Sequence, residues 1–122
     1  AAAALACVPL IKKSGVADNA AARGAELLAG GQALAEKYEI VGDVRGKGLM
    51  FCMEMVGNRE TKAPLDKAAI GTIYQAAYEA GVMVRISGNN LICSPPLIIT
   101  AEETQTLLNG IEAGLQAATA AR

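Results

Sequence analysis

Histidine and tryptophan are absent from these 122 residues. Without an imidazole, Ser-His-Asp and Cys-His nucleophile systems are excluded, and the commonest zinc ligand is missing. Aromatics are scarce, with Phe51, Tyr38, Tyr74 and Tyr78 forming the whole set. That set is too small for a stacking platform along single-stranded nucleic acid. An excess of one charge is lacking too: 11 Lys and Arg stand against 12 Asp and Glu, for a net charge of −1. A basic footprint is therefore missing and no nucleic-acid partner is expected. The apolar stretch at residues 1–11 falls short of the roughly 20 residues that cross a bilayer. No positive segment precedes it, as a secretory signal would require. No membrane partner is expected, and the default compartment is the cytoplasm. Cysteine is sparse as well. Cys7, Cys52 and Cys93 are odd in number and widely spaced, which argues against a disulfide framework and against a C-x-x-C metal or redox site. They read as small buried hydrophobes in a reducing compartment, and no metal site is expected.

What is present is a core. Hydrophobic residues make up 52% of the chain and charged residues 19%, a balance that excludes bulk disorder. A domain of this size buries roughly two-thirds of its extended surface and folds without staples. The chain opens without methionine inside an alanine-rich helical pattern. Either a methionine has been removed or the sequence is part of something longer.

Residues 1–13 read as the end of a helix, with Lys12 and Lys13 in its last turn and Gly15 beyond it, the usual stop signals. Pro9 predicts a kink or an early stop near Val8. Residues 17–38 form a second helical pattern, with Leu27, Leu28, Leu34, Ala35 and Tyr38 on one face. The Gly30-Gly31 pair weakens its middle and invites close approach by another element. A weak strand follows near Val41–Val44. Along Leu49–Val56 the period becomes two with both faces mainly apolar, which predicts a strand covered on both sides. Residues 57–65 read as a polar loop. Residues 66–80 predict a third helix, capped by Asp66, with Ile70, Ile73, Tyr74 and Ala77 as its apolar face. Residues 82–86 and 90–94 predict a hairpin turning at Ser87-Gly88-Asn89-Asn90. After Pro95-Pro96, the Thr100–Glu103 capping box opens a last helix striped by Leu107, Leu108, Ile111 and Leu115. Its alanine-rich tail is expected to fray. The predicted order is α-α-β-β-α-β-β-α, an α+β fold with a small, mostly antiparallel sheet flanked by helices.

Three places carry candidate chemistry. Arg85 sits inside an apolar strand beside a glycine turn and a double proline. It reads either as an edge-strand arginine facing solvent or as a guanidinium that grips a carboxylate bidentately. The stretch VGDVRGKGLM holds Arg45, Gly46, Lys47 and Gly48. Phosphate binding is one reading, but these glycines precede a strand and not a helix. A tight turn, with Arg45 paired to Asp43 or to a carboxylate in another segment, is the other. Glu54 lies alone in an apolar strand and reads as salt-bridged or edge-exposed, with no second carboxylate spaced with it for acid/base work.

With these residues assembled, the chain resembles the C-terminal small domain of the class III (omega) aminotransferases, pyridoxal-phosphate enzymes of fold type I. The resemblance is carried by VGDVRGKGLMFCMEMV, by EAGVMVRISGNNLICSPPLIITAEET and by the closing helix, in order. It is strongest to the pyruvate-dependent omega-transaminases, which move an amino group between an amine or omega-amino acid and a keto acid such as pyruvate. Many relatives carry Asp after the turn glycine, where this chain has Asn89. The resemblance implies that residues 1–122 are one small domain, with 1–15 a helix leading to an absent large domain. It implies that Arg85 meets the substrate carboxylate, and that Arg45, Gly46, Gly48, Gly88, Pro95 and Pro96 are structural motif positions. It implies pyridoxal 5'-phosphate as cofactor, bound mainly by the large domain, and a homodimeric parent. Lys12, Lys13, Lys37, Lys47, Lys62 and Lys67 do not match the family's Schiff-base lysine, so no catalytic or cofactor-binding residue is assigned here and the piece alone is expected to be inactive. The alternatives are a free-standing, non-catalytic α+β domain that binds a partner or small acid, and a soluble domain whose likeness is incidental.

Overall fold

The computed structural model describes residues 1–121. Helix α1 (Ala2–Lys13) leads through the left-handed Gly15, φ +63°, into α2 (Val16–Lys37). Strands β1 (Val41–Lys47) and β2 (Met50–Asn58) form a hairpin, and the two-residue β3 (Ala63–Pro64) adds to β2. Helix α3 (Lys67–Glu79), strands β4 (Arg85–Ser87) and β5 (Asn90–Cys93), and helix α4 (Ala101–Ala120) complete the chain. The sheet runs β1-β2-β5-β4, antiparallel throughout. The α+β order expected from the sequence is therefore present, with β3 added.

The alternation of β2 decides where the core lies. Phe51, Met53 and Met55 point to one face and are buried there with Leu91 and Cys93 of β5. Leu27 and Leu34 of α2, Ile73 of α3 and Ile111 and Leu115 of α4 pack onto that face. Each such side chain contributes about 1.5–3 kcal/mol of burial. Small residues set the spacing. A Cβ on Gly24 would lie 2.3 Å from the Gly48 carbonyl oxygen. Gly31 meets the Phe51 ring and Gly30 meets Leu108, the close approach that the glycine pair suggested.

Both faces of β2 were expected to be covered; only one is. Met50 is 66% exposed, and Cys52 and Glu54 are half-buried on the side away from the helices. The three helices that pack on the sheet all use the same face, and nothing among the described residues covers the other. Pro9 does not stop α1, which runs through it to Lys13. A proline there removes one N–H, and α1 buries no residue, so the carbonyl left without that donor can be hydrated. Tyr74 does not join the apolar face of α3; it is exposed and stacks on Tyr78 with ring centroids 6.4 Å apart. The tail of α4 remains helical to Ala120 because Ala118 packs in the core. Of the cysteines, only Cys93 is a buried hydrophobe; Cys7 is exposed and Cys52 half-buried. Residues 82–84 stay outside the strand, although Val82 and Val84 are buried.

Caps fall where the sequence put them. The Asp66 carboxylate accepts from Ala68 N–H at 3.2 Å. At α4, the Thr100 N–H donates to the Glu103 carboxylate at 2.8 Å, while Glu103 N–H donates to Thr100 Oγ1 at 3.1 Å.

Candidate functional site

Antiparallel pairing aligns residues from four strands on the open face. Arg45 is opposite Cys52, Cys52 opposite Ile92, and Ile92 opposite Arg85. Directly opposed residues share a face, so one row across the sheet begins and ends with arginine. The neighbouring row is Asp43, Glu54, Asn90 and Ser87.

The two arginines differ in their surroundings. Arg45 Nη1 contacts the Asp43 carboxylate at 2.7 Å and the Glu54 carboxylate at 3.3 Å, and its Nη2 donates to Asn90 Oδ1 at 2.8 Å. The Asp43 bond is the main cause holding its guanidinium above its ordinary pKa. The expected pairing with Asp43 is present, and Glu54 is salt-bridged as expected. The expectation that no second carboxylate accompanies Glu54 is corrected: Asp43 stands directly opposite it. The hairpin turn hides this neighbour from a reading along the chain. Both carboxylates contact the single Arg45 guanidinium, a salt-bridged cluster that is not arranged as an acid/base pair.

Arg85 stands on the edge strand β4 and is exposed. Among the described residues its side chain has no ion pair or hydrogen-bond partner. It lines an open groove of about 770 Å³ with Tyr74, Met83, Ser94, Pro95 and Pro96. The structure thus brings together Arg85, Pro95 and Pro96, and places Gly88 in the adjoining turn at φ +57°. Gly46 and Gly48 lie elsewhere, at the β1–β2 turn. Gly48 takes φ +54° and packs against Ala20 and Gly24 of α2. Alanines of α2 and Leu28 line an open cavity of about 470 Å³ beside that turn, and the close Gly24–Gly48 approach shows that the turn packs on α2.

Reading along the sequence passed over two organising residues, Asn89 and Asn90. Asn90 accepts from Arg45 and from Cys52 Sγ at 3.4 Å and donates to the Ser87 carbonyl at 3.3 Å. Asn89 reaches the opposite way, to Met55 and Leu65. Consecutive amides after a turn glycine were the available signal. Cys52 sits within this network, where burial pushes its thiol up while Arg45 pulls it down. Burial pushes the Cys93 thiol up to about 12.

A cofactor carried on a lysine needs a partly dry amine with a lowered pKa. Lys12, Lys13, Lys37, Lys47, Lys62 and Lys67 are all exposed, and Lys37 is tied to Glu112, which raises its pKa. Among the described residues no group of His, Cys, Asp and Glu is arranged to hold a metal ion. No helix is long and apolar enough to cross a membrane.

Comparison with known proteins matches this architecture. The family model for aminotransferase class-III matches residues 1–115. A taurine–pyruvate aminotransferase of Bilophila wadsworthia is 36% identical over 118 residues, covering 91% of this chain and 26% of that protein. A leucine/methionine racemase of Thermococcus litoralis is 37% identical over 111 residues, covering 90% and 24%. Among solved structures, an amine transaminase from an uncultivated Pseudomonas species, in the PLP-bound internal aldimine form, superposes with a TM-score of 0.89 at 42% identity, covering 94% of this chain and 26% of that one. The chain thus spans about a quarter of the length of the relatives it matches. With the family model over nearly its full length, the chain belongs to the class-III aminotransferases.

Proposed function

We propose that residues 1–122 form the C-terminal small domain of a pyridoxal-phosphate-dependent transaminase, and that Arg85 binds the carboxylate of its substrate. The parent moves an amino group between an amine or omega-amino acid and a keto acid such as pyruvate. The observation that carries the reading is the unpaired Arg85 on an edge strand, beside a groove, in a chain whose other open-face strand arginine is neutralised. A guanidinium without an internal partner is free to take a bidentate carboxylate. Pyridoxal phosphate supplies the electron sink for amino-group chemistry. The lysines of this chain do not suit it, so its site belongs to a large domain beyond these residues. What these residues contribute is orientation: Arg85 fixes the acid end of the substrate, which places the amine end for reaction. The parent is a cytoplasmic homodimer in this reading. The similarity to both aminotransferases and a racemase makes the reaction itself part of the test.

The experiment uses the full-length protein with Arg85→Ala, on an omega-amino acid donor and on an amine without a carboxylate. The expected result is a loss in kcat/KM of roughly tenfold or more for the amino acid, as for about 1.5–3 kcal/mol of charge-assisted hydrogen bonding, with the plain amine spared. Equal losses on both donors would refute the clamp.

A further inference from the structure

Asn89 is the second residue of the two-residue turn joining β4 to β5. Gly88, the first, takes a left-handed backbone. Asn89 does not, since Lys62 is the only non-glycine with positive φ among the described residues. The backbone therefore does not call for asparagine at this position. What the position uses is the side-chain amide. Its Nδ2 donates to the Met55 carbonyl at 2.9 Å and lies 3.5 Å from the Leu65 carbonyl. The Asn89 carbonyl in turn accepts from Met55 N–H at 2.7 Å. One half-buried residue thus ties the tip of the hairpin to β2 and to the segment that leads into α3.

That tie matters because β4 has little else. It is three residues long, lies at the sheet edge and pairs only with β5. A short strand paired along one edge has few bonds and little buried surface to hold it, so it opens locally at low cost. Arg85 begins that strand and has no internal partner to aim it. We infer that Asn89 is a positioning residue for Arg85: its amide anchors the hairpin to Met55 and Leu65, and so sets how well the guanidinium meets a substrate carboxylate. The inference rests on the Arg85 reading above. Removing the amide leaves the Met55 and Leu65 carbonyls without this donor, which makes Asn89→Ala the informative change.

The test uses the full-length protein with Asn89→Ala, alongside Arg85→Ala, with two readouts. Amide hydrogen exchange across residues 85–93 reports the hairpin, and steady-state kinetics compare a carboxylate-bearing donor with a plain amine. Expected for Asn89→Ala is several-fold faster exchange confined to the hairpin, with KM for the carboxylate-bearing donor raised several-fold, its kcat nearly unchanged, and the plain amine unaffected. Unchanged exchange in the hairpin overturns the inference whatever the kinetics. Faster exchange without a selective KM effect also overturns it when Arg85→Ala is selective. If Arg85→Ala is itself unselective, the clamp reading fails and the inference falls with it, a result that the Arg85→Ala arm alone identifies. Exchange that rises across the whole protein marks a general folding defect and counts against a local positioning role.

Discussion

Lys37 of α2 and Glu112 of α4 form an ion pair that joins the two helices, with the Tyr38 hydroxyl also donating to Glu112 at 3.2 Å. The Lys37 hydrogen bond is the first cause of a lowered Glu112 pKa, and the Glu112 bond is the first cause of a raised Lys37 pKa. For the carboxyl, depressed in the fold, the stabilisation is present above its ordinary 4.5 and is lost as pH falls through the lowered value. For the amine, raised in the fold, it is present below the ordinary 10.5 and is lost as pH rises through the raised value. Lys37 is exposed and Glu112 only half-buried, so the effect is small and screened by salt. Thermal melting of Glu112→Gln against the parent across pH is expected to show a modest deficit near neutrality that closes in acid. A deficit that persists below the carboxyl's titration would mean that packing, and not charge, links the helices here. Arg59 plays a related part without a carboxylate. Its guanidinium donates to the carbonyls of Ala35 and, at 2.9 Å, Tyr38, acceptors left free where α2 ends, and at 3.0 Å to that of Val41 at the start of β1.

Helix α2 docks by the absence of side chains. At Gly24 an added Cβ would strike the Gly48 backbone, which has no flexible end to yield. At Gly71 in α3 the same atom meets nothing within 4 Å. Gly24→Ala is therefore expected to destabilise by about 1–3 kcal/mol through overpacking, and Gly71→Ala to stabilise by about 0.5–1 kcal/mol through helix propensity. Urea melts of the two variants check this, and a shift of the same sign for both would overturn the distinction. The same elements mark what the sequence revealed. Local signals worked where one residue's chemistry decides the structure: the Thr100–Glu103 capping box, the Asp66 cap and the turn at Gly88. The two-faced reading of Leu49–Val56 failed because alternation records polarity and not what lies opposite. Met50 and Cys52 are apolar enough to suggest a cover that these residues do not provide. The short β3 strand was invisible because two residues carry no period. The Arg45–Asn90 bond and the Asp43–Glu54 neighbourhood were hidden for a different reason: register, not spacing, creates them.

For the molecule as a whole, α1 stands apart. It buries nothing, and Leu5, Val8, Leu10 and Ile11 are each at least half exposed. An apolar helix face of that kind favours association. The 122-residue chain is expected to self-associate on size-exclusion chromatography, and a version lacking residues 1–13 to elute later than their mass alone explains, with an almost unchanged melting temperature. A dilute monomer with α1 protected from exchange would contradict this. The open sheet face has another consequence. Three interstrand steps separate the two ends of the arginine row, about 14 Å at the usual spacing. No small acid spans that gap, and the Arg45 end is already cancelled by Asp43 and Glu54. The row is therefore a graded potential whose positive end is at Arg85. An approaching anion drifts toward that end before any contact is made, so its rate of arrival should fall as ionic strength rises.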